Sequence, residues 1–446
     1  MVDNICALAT PYGTGAIAII RCSGPESISL VNKIFKGCDL TKALSHTIHY
    51  GYIMDQKEIV DEVLCNVFIA PKSFDGENMV EINCHGGVLV TNKIVQVLLK
   101  NGFRLAEPGE FSKRAFLNKR LDLTQAEAIM DIIHAENHIA LKAGQNSLKQ
   151  STTKLIHAFR DKLLDILAKI EVNIDYPEYE DSITVTQEYL LPVLIEMRED
   201  MKEILKNSSI SRLAIHGIKT AIVGKPNVGK SSLLNMLLDE NKAIVTDIPG
   251  TTRDLVEGSL TIGNLTLHLI DTAGIHKSED IVEQIGIERS SIAIQQADLV
   301  LVVVDASQPL EKEDEALLEL TEDKPRILVG NKIDKAKTVH LENMVFISAK
   351  EKQGIEALAE AIIKVTNLDQ INIDEGKFLA NMRQIHLMEQ AEAALEQAYQ
   401  ACLEGLDVDL IEIDIKQAFD DLGTITGETT PEELITALFT KFCLGK

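Results

Sequence analysis

The segment Gly224, Lys225, Pro226, Asn227, Val228, Gly229, Lys230, Ser231 follows the pattern G-x-x-x-x-G-K-S, with Ser232 directly after it. It sits behind an apolar run, Ile218–Val223, and opens a helical pattern. In that context the glycines let backbone N–H groups wrap phosphate oxygens. Lys230 can reach the β- and γ-phosphates, and the Ser231 hydroxyl can bind Mg2+. Farther along come Asp271, Thr272, Ala273 and Gly274 at the end of a second apolar strand pattern. An aspartate there can hold magnesium through water, and the Gly274 amide can sense the γ-phosphate. Asn331, Lys332 and Asp334 form N-K-x-D after a third strand. A carboxylate at Asp334 can accept from the N1–H and the exocyclic amine of guanine, a donor pair that adenine lacks. Ser348, Ala349 and Lys350 complete a base pocket, with the Ala349 amide expected to face the guanine oxygen. Four motifs in this order predict GTP binding and hydrolysis.

The loop Thr246, Asp247, Ile248, Pro249, Gly250, Thr251, Thr252 lies where a switch segment would close over the γ-phosphate, and Thr252 is expected to supply the second magnesium hydroxyl. Ile275 follows Gly274, where a water-orienting glutamine is common, and it cannot do that work. A cation held in the loop or one of the acids Glu279, Asp280 and Glu283 must replace it.

These motifs require a parallel sheet with crossover helices, because strands alternate with helical stretches from Ile218 onward. Ile218–Val223, Leu299–Val304, Arg326–Val329 and Met344–Ile347 are the expected parallel strands. Leu260–Ile262 and Leu265–Ile270 read as a hairpin. Ahead of this lies a segment of short β-type runs, including Ala16–Arg21 and Leu64–Ala70, with turn signals between them. Thr124–Glu127 reads as a capping box that starts long helices running to about Leu213, interrupted near Tyr176-Pro177. Helical spacing resumes beyond Leu368, with Pro431 at a helix start. The fold class is therefore multidomain α/β: an N-terminal α+β domain (1–118), a helical domain from two chain segments (119–215 and 370–446), and an inserted Ras-like P-loop domain with a mostly parallel sheet (216–369).

The chain has 446 residues, 45% of them hydrophobic and 25% charged, the balance of a soluble globular protein. No apolar run approaches the roughly 20 residues of a membrane helix, and the N-terminus lacks a secretory pattern, so a cytoplasmic location and no membrane partner are expected. Seven scattered cysteines without a C-x-x-C pair argue against zinc or a disulfide framework. The net charge of −24 excludes bulk electrostatic binding of nucleic acid. One basic cluster, Lys100, Arg104, Lys113, Arg114, Lys119 and Arg120, is the local candidate for RNA contact.

Outside the nucleotide motifs, Pro108–Asn118, Leu121–Ala128, Ile174–Glu178 and the terminal Phe442–Lys446 resemble the MnmE (TrmE) tRNA modification GTPases, and the resemblance runs the length of the chain. It implies a homodimer whose N-terminal domain binds 5-formyl- or 5,10-methylene-tetrahydrofolate. It also implies a potassium-activated GTPase and a flavoprotein partner, MnmG (GidA), in a heterotetramer-type complex. Together they would add an aminomethyl- or carboxymethylaminomethyl-type group to C5 of the wobble uridine of certain tRNAs. By the same resemblance, folate contacts fall on Arg21, Glu81, Arg120 and Lys446, and K+ ligands on Asn227, Thr246, Ile248 and Thr251. The water-orienting acid falls on Glu283. Cys443 reads either as a nucleophile near a chain terminus or as a helix-end apolar contact. The contrasting function class is a GTP-dependent RNA- or ribosome-binding assembly switch without modification chemistry, which would have no use for a folate pocket.

Overall fold

The computed structural model describes residues 3–175, 189–240, 256–262, 265–270, 292–335, 338–339, 341–368, 377–442 and 445. The chain divides into two compact units, Met1–Met130 with Phe419–Lys446, and Asp131–Ala418.

In the first unit seven strands form one sheet: β1 (Ile5–Leu8), β2 (Ile17–Ser23), β3 (Phe35–Lys36), β4 (Thr47–Asp55), β5 (Glu58–Phe68), β6 (Met79–His85) and β7 (Arg104–Leu105). Their order is β3-β4-β5-β6-β2-β1-β7, antiparallel except where β7 joins β1. Side chains alternate across the sheet. Ile20, Cys22, Val80 and Ile82 enter a core with Val31, Ile94 and Leu98 of the helices Ser27–Ile34 and Val88–Lys100. The opposite face leaves Ile17, Ile48, Tyr50 and Leu64 exposed. β5 begins six residues before the expected Leu64, because its first half carries outward polar residues that hide it from an apolar-run reading.

The helix Leu123–Ile133 starts on a reciprocal box of Asp122 and Gln125, two residues before the expected Thr124–Glu127. Asp122 Oδ1 accepts from Gln125 N at 2.8 Å, and Gln125 Oε1 accepts from Asp122 N at 3.1 Å. Thr124 instead donates its hydroxyl to Asp122, and Glu127 is buried.

The second unit holds β8 (Ile218–Val223), β9 (Val256–Ile262), β10 (Leu265–Ile270), β11 (Leu299–Asp305), β12 (Arg326–Asn331) and β13 (Val345–Phe346), ordered β13-β12-β11-β8-β10-β9. All neighbours are parallel except the β9–β10 hairpin. β11 is buried along its whole length, as a central parallel strand covered on both faces must be. Leu299, Leu301 and Val303 pack toward the helices Lys230–Glu240 and Ile355–Val365, whereas Val300 and Val302 pack toward Ala293, Ile294 and Ala297. The expected strand Met344–Ile347 shrinks to two residues at the sheet edge.

Helices on both sides of this α/β segment pack together, Leu191–His216 against Met382–Glu404. Arg198 lies over the Tyr399 ring at 4.4 Å and pairs with Glu392 and Glu396, and the Ser208 hydroxyl accepts from Leu379 N at 2.8 Å. The chain passes from helix to β8 through Gly217, whose φ of 80° and contact with the His268 ring leave no room for a side chain.

Candidate functional site

The nucleotide motifs converge at the carboxyl ends of β8, β12 and β13. This is where an open parallel sheet places its ligand crevice, since β10 and β11 depart to opposite sides of β8. Residues 224–229 leave β8 and run into the helix Lys230–Glu240. Val228 is buried and anchors the loop in the core, while Asn227, at φ 62°, is exposed. Ser231 stands in the first helical turn and Ser232 beside it is exposed. Lys230 Nζ donates to the carbonyls of Gly224 at 2.7 Å and Lys225 at 2.8 Å, so its ammonium folds back over the loop. Burial pushes its pKa down from the usual lysine value.

Asn331 is the staple of the site. Its buried Nδ2 donates to Val228 O at 2.9 Å, and its Oδ1 accepts from Lys332 N at 2.8 Å and Ala349 N at 3.1 Å. One amide thus joins the phosphate loop, its own strand end and the loop after β13. Gly229, at φ 100°, lies so close to this amide that a Cβ would collide with it. The Ala349 N–H, expected to face the guanine oxygen, is directed to Asn331 Oδ1. Ser348 is buried and donates its hydroxyl to Asp334 Oδ1 at 2.8 Å. That bond, the largest influence on the group, holds the exposed Asp334 carboxyl below the usual aspartate pKa, ionised and fixed in direction. Lys350 is exposed at the rim.

Three acids missed in the sequence support the loop from its flanks. Lys332 Nζ donates to Asn227 O at 2.6 Å and to Asp305 Oδ2 at 2.7 Å. Burial alone would raise the Asp305 pKa, but Lys332 and Ser307 outweigh it and hold the carboxyl below its ordinary value. Lys225 is paired with Asp314 at 2.9 Å and Glu311 at 3.0 Å, which together cap the helix Lys312–Leu320. The available signal was Asp305 at the end of an apolar run and the acids of Glu311–Asp314 ahead of a helix. Neither has a motif spacing. Residues 246–252, 271–276, 279, 280 and 283 lie outside the described residues, and so do Cys443 and Lys446.

In the first unit Arg21 and Glu81 are directly opposed across β2 and β6. Arg21 donates twice to Glu81 Oε1, at 2.9 and 3.0 Å, and once to Gly445 O at 3.1 Å. Its guanidinium lies 4.6 Å from the Phe74 ring centroid. Glu81 and Arg120 line one cavity of about 490 Å³ with His46, Phe68, Phe74 and Met79 among its walls. The basic cluster that included Arg120 is not a free cationic surface. Arg114 is fully buried among Asp3, Glu77 and Glu110, and Arg104 pairs with Asp3 and Glu110. Lys113 donates to the Thr436 hydroxyl, and Lys100 faces Asp55. The linear spacing of the bases could not show that Asp3, Asp55 and Glu77, distant in sequence, fold against them beside the local Glu110.

A phosphate loop at the head of a parallel sheet, with an N-K-x-D carboxylate oriented beside it, defines a P-loop GTP hydrolase of Ras-like fold. The MnmE helical domain description matches residues 123–443, and that of the GTP-binding protein TrmE N-terminus matches residues 4–120. The tRNA modification GTPase MnmE of Acholeplasma laidlawii is 49% identical, covering 100% of this chain and 99% of that protein. Its counterpart in Lactococcus lactis subsp. lactis is 47% identical, covering 100% and 98%. The G domain of the T. maritima FeoB iron transporter is 32% identical, covering 33% of this chain and 98% of that one, with a TM-score of 0.26. The chain belongs to the MnmE family of tRNA modification GTPases. Among the described residues no helix is long and apolar enough to cross a membrane.

Proposed function

We propose that this chain is the GTP-hydrolysing subunit of a cytoplasmic enzyme that modifies C5 of the wobble uridine of certain tRNAs with a tetrahydrofolate one-carbon donor. The observation that carries the nucleotide half of this reading is the Asn331 staple, which binds the phosphate loop to the base loop while Ser348 aims Asp334. In this reading Asp334 selects guanine, Lys230 neutralises the phosphates, and Glu283 orients the attacking water. Ser231 and Thr252 would hold Mg2+, with Asp271 bound to it through water. Asn227, Thr246, Ile248 and Thr251 would hold K+. The exposed, left-handed Asn227, with its carbonyl tied back by Lys332, suits such a ligand set. When bound, the two cations supply the electrostatic stabilisation that an arginine finger gives elsewhere. The remaining loop residues Asp247, Pro249, Gly250, Thr272, Ala273 and Gly274 would close over the nucleotide.

The folate half rests on the cavity beside Arg21. Its volume falls in the range of about 300–1,000 Å³ common for small-molecule sites. It combines Phe68 and Phe74 walls with the Glu81 carboxylate and the Arg120 guanidinium, groups that suit a pterin ring and a carboxylated tail. Lys446 would complete it, since Gly445 already meets Arg21. The exposed apolar face of Ile17, Ile48, Tyr50 and Leu64 supports a homodimer through this sheet. The domain limits that follow are 1–118, 119–215 with 370–446, and 216–369. An acidic chain in which four of the six clustered bases, Lys100, Arg104, Lys113 and Arg114, are held within the fold favours a partner that carries much of the tRNA-binding surface, which is the role the resemblance implies for MnmG (GidA).

One pair of measurements on the full-length chain tests both halves. Equilibrium dialysis should show 5-formyl-tetrahydrofolate bound, and weakened by Glu81→Gln and Arg120→Ala. GTP turnover should fall strongly when sodium replaces potassium. No folate binding at millimolar ligand overturns the modification reading, and an equal rate in sodium removes Asn227 and its loop from the cation role.

A further inference from the structure

Far in sequence from the nucleotide motifs, where β3 gives way to β4, Cys38 is an exposed free thiol. Its Sγ lies 3.1 Å from His49 Nδ1. The imidazole is itself held by Thr47, whose Oγ1 is 2.8 Å from His49 Nε2. The direction of the proton in this chain follows from counting donors. A threonine hydroxyl has one proton, and that of Thr47 is donated to Leu44 O at 2.5 Å. Thr47 Oγ1 must therefore accept from His49, so Nε2 carries the ring proton. Nδ1 of the neutral ring is then the acceptor, and the Cys38 S–H is the donor to it. A thiol whose proton already points at a fixed imidazole nitrogen has the arrangement of an assisted nucleophile.

We infer that Cys38, His49 and Thr47 form a base-assisted thiol site, independent of GTP hydrolysis, that takes small soft electrophiles, with hydroperoxides as the natural class. With hydrogen peroxide the Cys38 sulfur attacks one oxygen, an S–O bond forms and the O–O bond breaks. The thiol proton passes to His49 Nδ1 and then to the departing hydroxide, which leaves as water. Sulfur is oxidised by two electrons to the sulfenic acid and the peroxide is reduced. Thr47 acts only as a positioning residue, by keeping Nδ1 free to accept. A contrast is built into the same sheet. Cys65, directly across β4–β5 from His49, is fully buried, and burial, with Cys38 adding to it, pushes its thiol up to about 12. Cys6, Cys22 and Cys84 are buried in the same core.

The test uses the folded full-length chain, treated with iodoacetamide over a time course, or with hydrogen peroxide followed by dimedone to trap the sulfenic acid, and read by peptide mass mapping. Cys38 should label first and Cys65 should remain unlabelled. His49→Gln and Thr47→Val should each slow Cys38 labelling by about ten-fold or more, with GTP turnover unchanged. Labelling of Cys65 would reveal an unfolded variant, in which case the other variant carries the measurement. Equal Cys38 rates in the parent and both folded variants, or absence of a dimedone adduct at Cys38, would overturn the proposal.

Discussion

The nucleotide crevice and the cavity beside Arg21 both rely on charged side chains, yet they secure them differently. Around the phosphate loop main-chain oxygens hold Lys230, through Gly224 and Lys225, and share Lys332, through Asn227, with the Asp305 carboxylate. In the N-terminal unit, cations are held by carboxylates, Arg21 by Glu81 across neighbouring strands and Arg114 by Asp3, Glu77 and, one helical turn back, Glu110. Main-chain partners follow automatically from a loop's conformation, so a short motif is enough to specify them. Side-chain partners across a sheet depend on register, which no local spacing encodes. The first kind of site suits a fixed grip on phosphate. The second builds a walled cavity whose shape depends on the whole sheet.

That contrast can be broken from either side. On ligand affinity the largest effect should come from Asn331→Ala, which removes three hydrogen bonds linking two loops. At about 1 kcal/mol each, GTP affinity should drop by roughly 100-fold, measured by titration with a fluorescent GTP analogue. A loss below about three-fold would mean the loops hold their shape without the staple. On stability, Arg114→Met should destabilise the N-terminal unit by about 3–5 kcal/mol, because it strands buried carboxylates without their cation. A thermal melt that leaves the midpoint unchanged would show that the acids find other partners. The smallest effect concerns His85, which donates toward Asp61 at 2.7 Å. That hydrogen bond, and then the charge of Asp61, raise its pKa above the ordinary 6.5. A raised value means that the stabilising pair is fully present below pH 6.5 and is lost as pH rises through the folded pKa. An NMR titration should place the His85 midpoint above 6.5 and return it toward that value in Asp61→Asn; an unmoved midpoint would contradict the pairing.

The order of the four motifs and the parallel sheet behind them were legible because strand, loop and helix follow one another locally. Ile218–Val223 and Leu265–Ile270 fall where their apolar runs end. Resemblance to a family pointed to Glu81 and Arg120, and the fold brings both to one cavity. The residues alone could not have done so, since Phe68, Phe74 and Arg120 meet only after folding. Asp305 and Asp314 escaped notice because an acid at a strand end or helix start has many ordinary uses. The pairing of Arg104 and Arg114 was hidden because Asp3 and Glu77 reach them only after folding, and β5's true start because its first half carries outward polar residues.

The central claim is that an oriented Asp334 makes this crevice a guanine site. Replacing it with asparagine exchanges an acceptor for a donor, which suits xanthine, where an oxygen stands in place of the exocyclic amine. Asp334→Asn should lose about 100-fold or more in kcat/KM for GTP and gain turnover of xanthosine triphosphate. A variant that hydrolyses GTP as well as the parent, and ignores the xanthine nucleotide, would contradict the account.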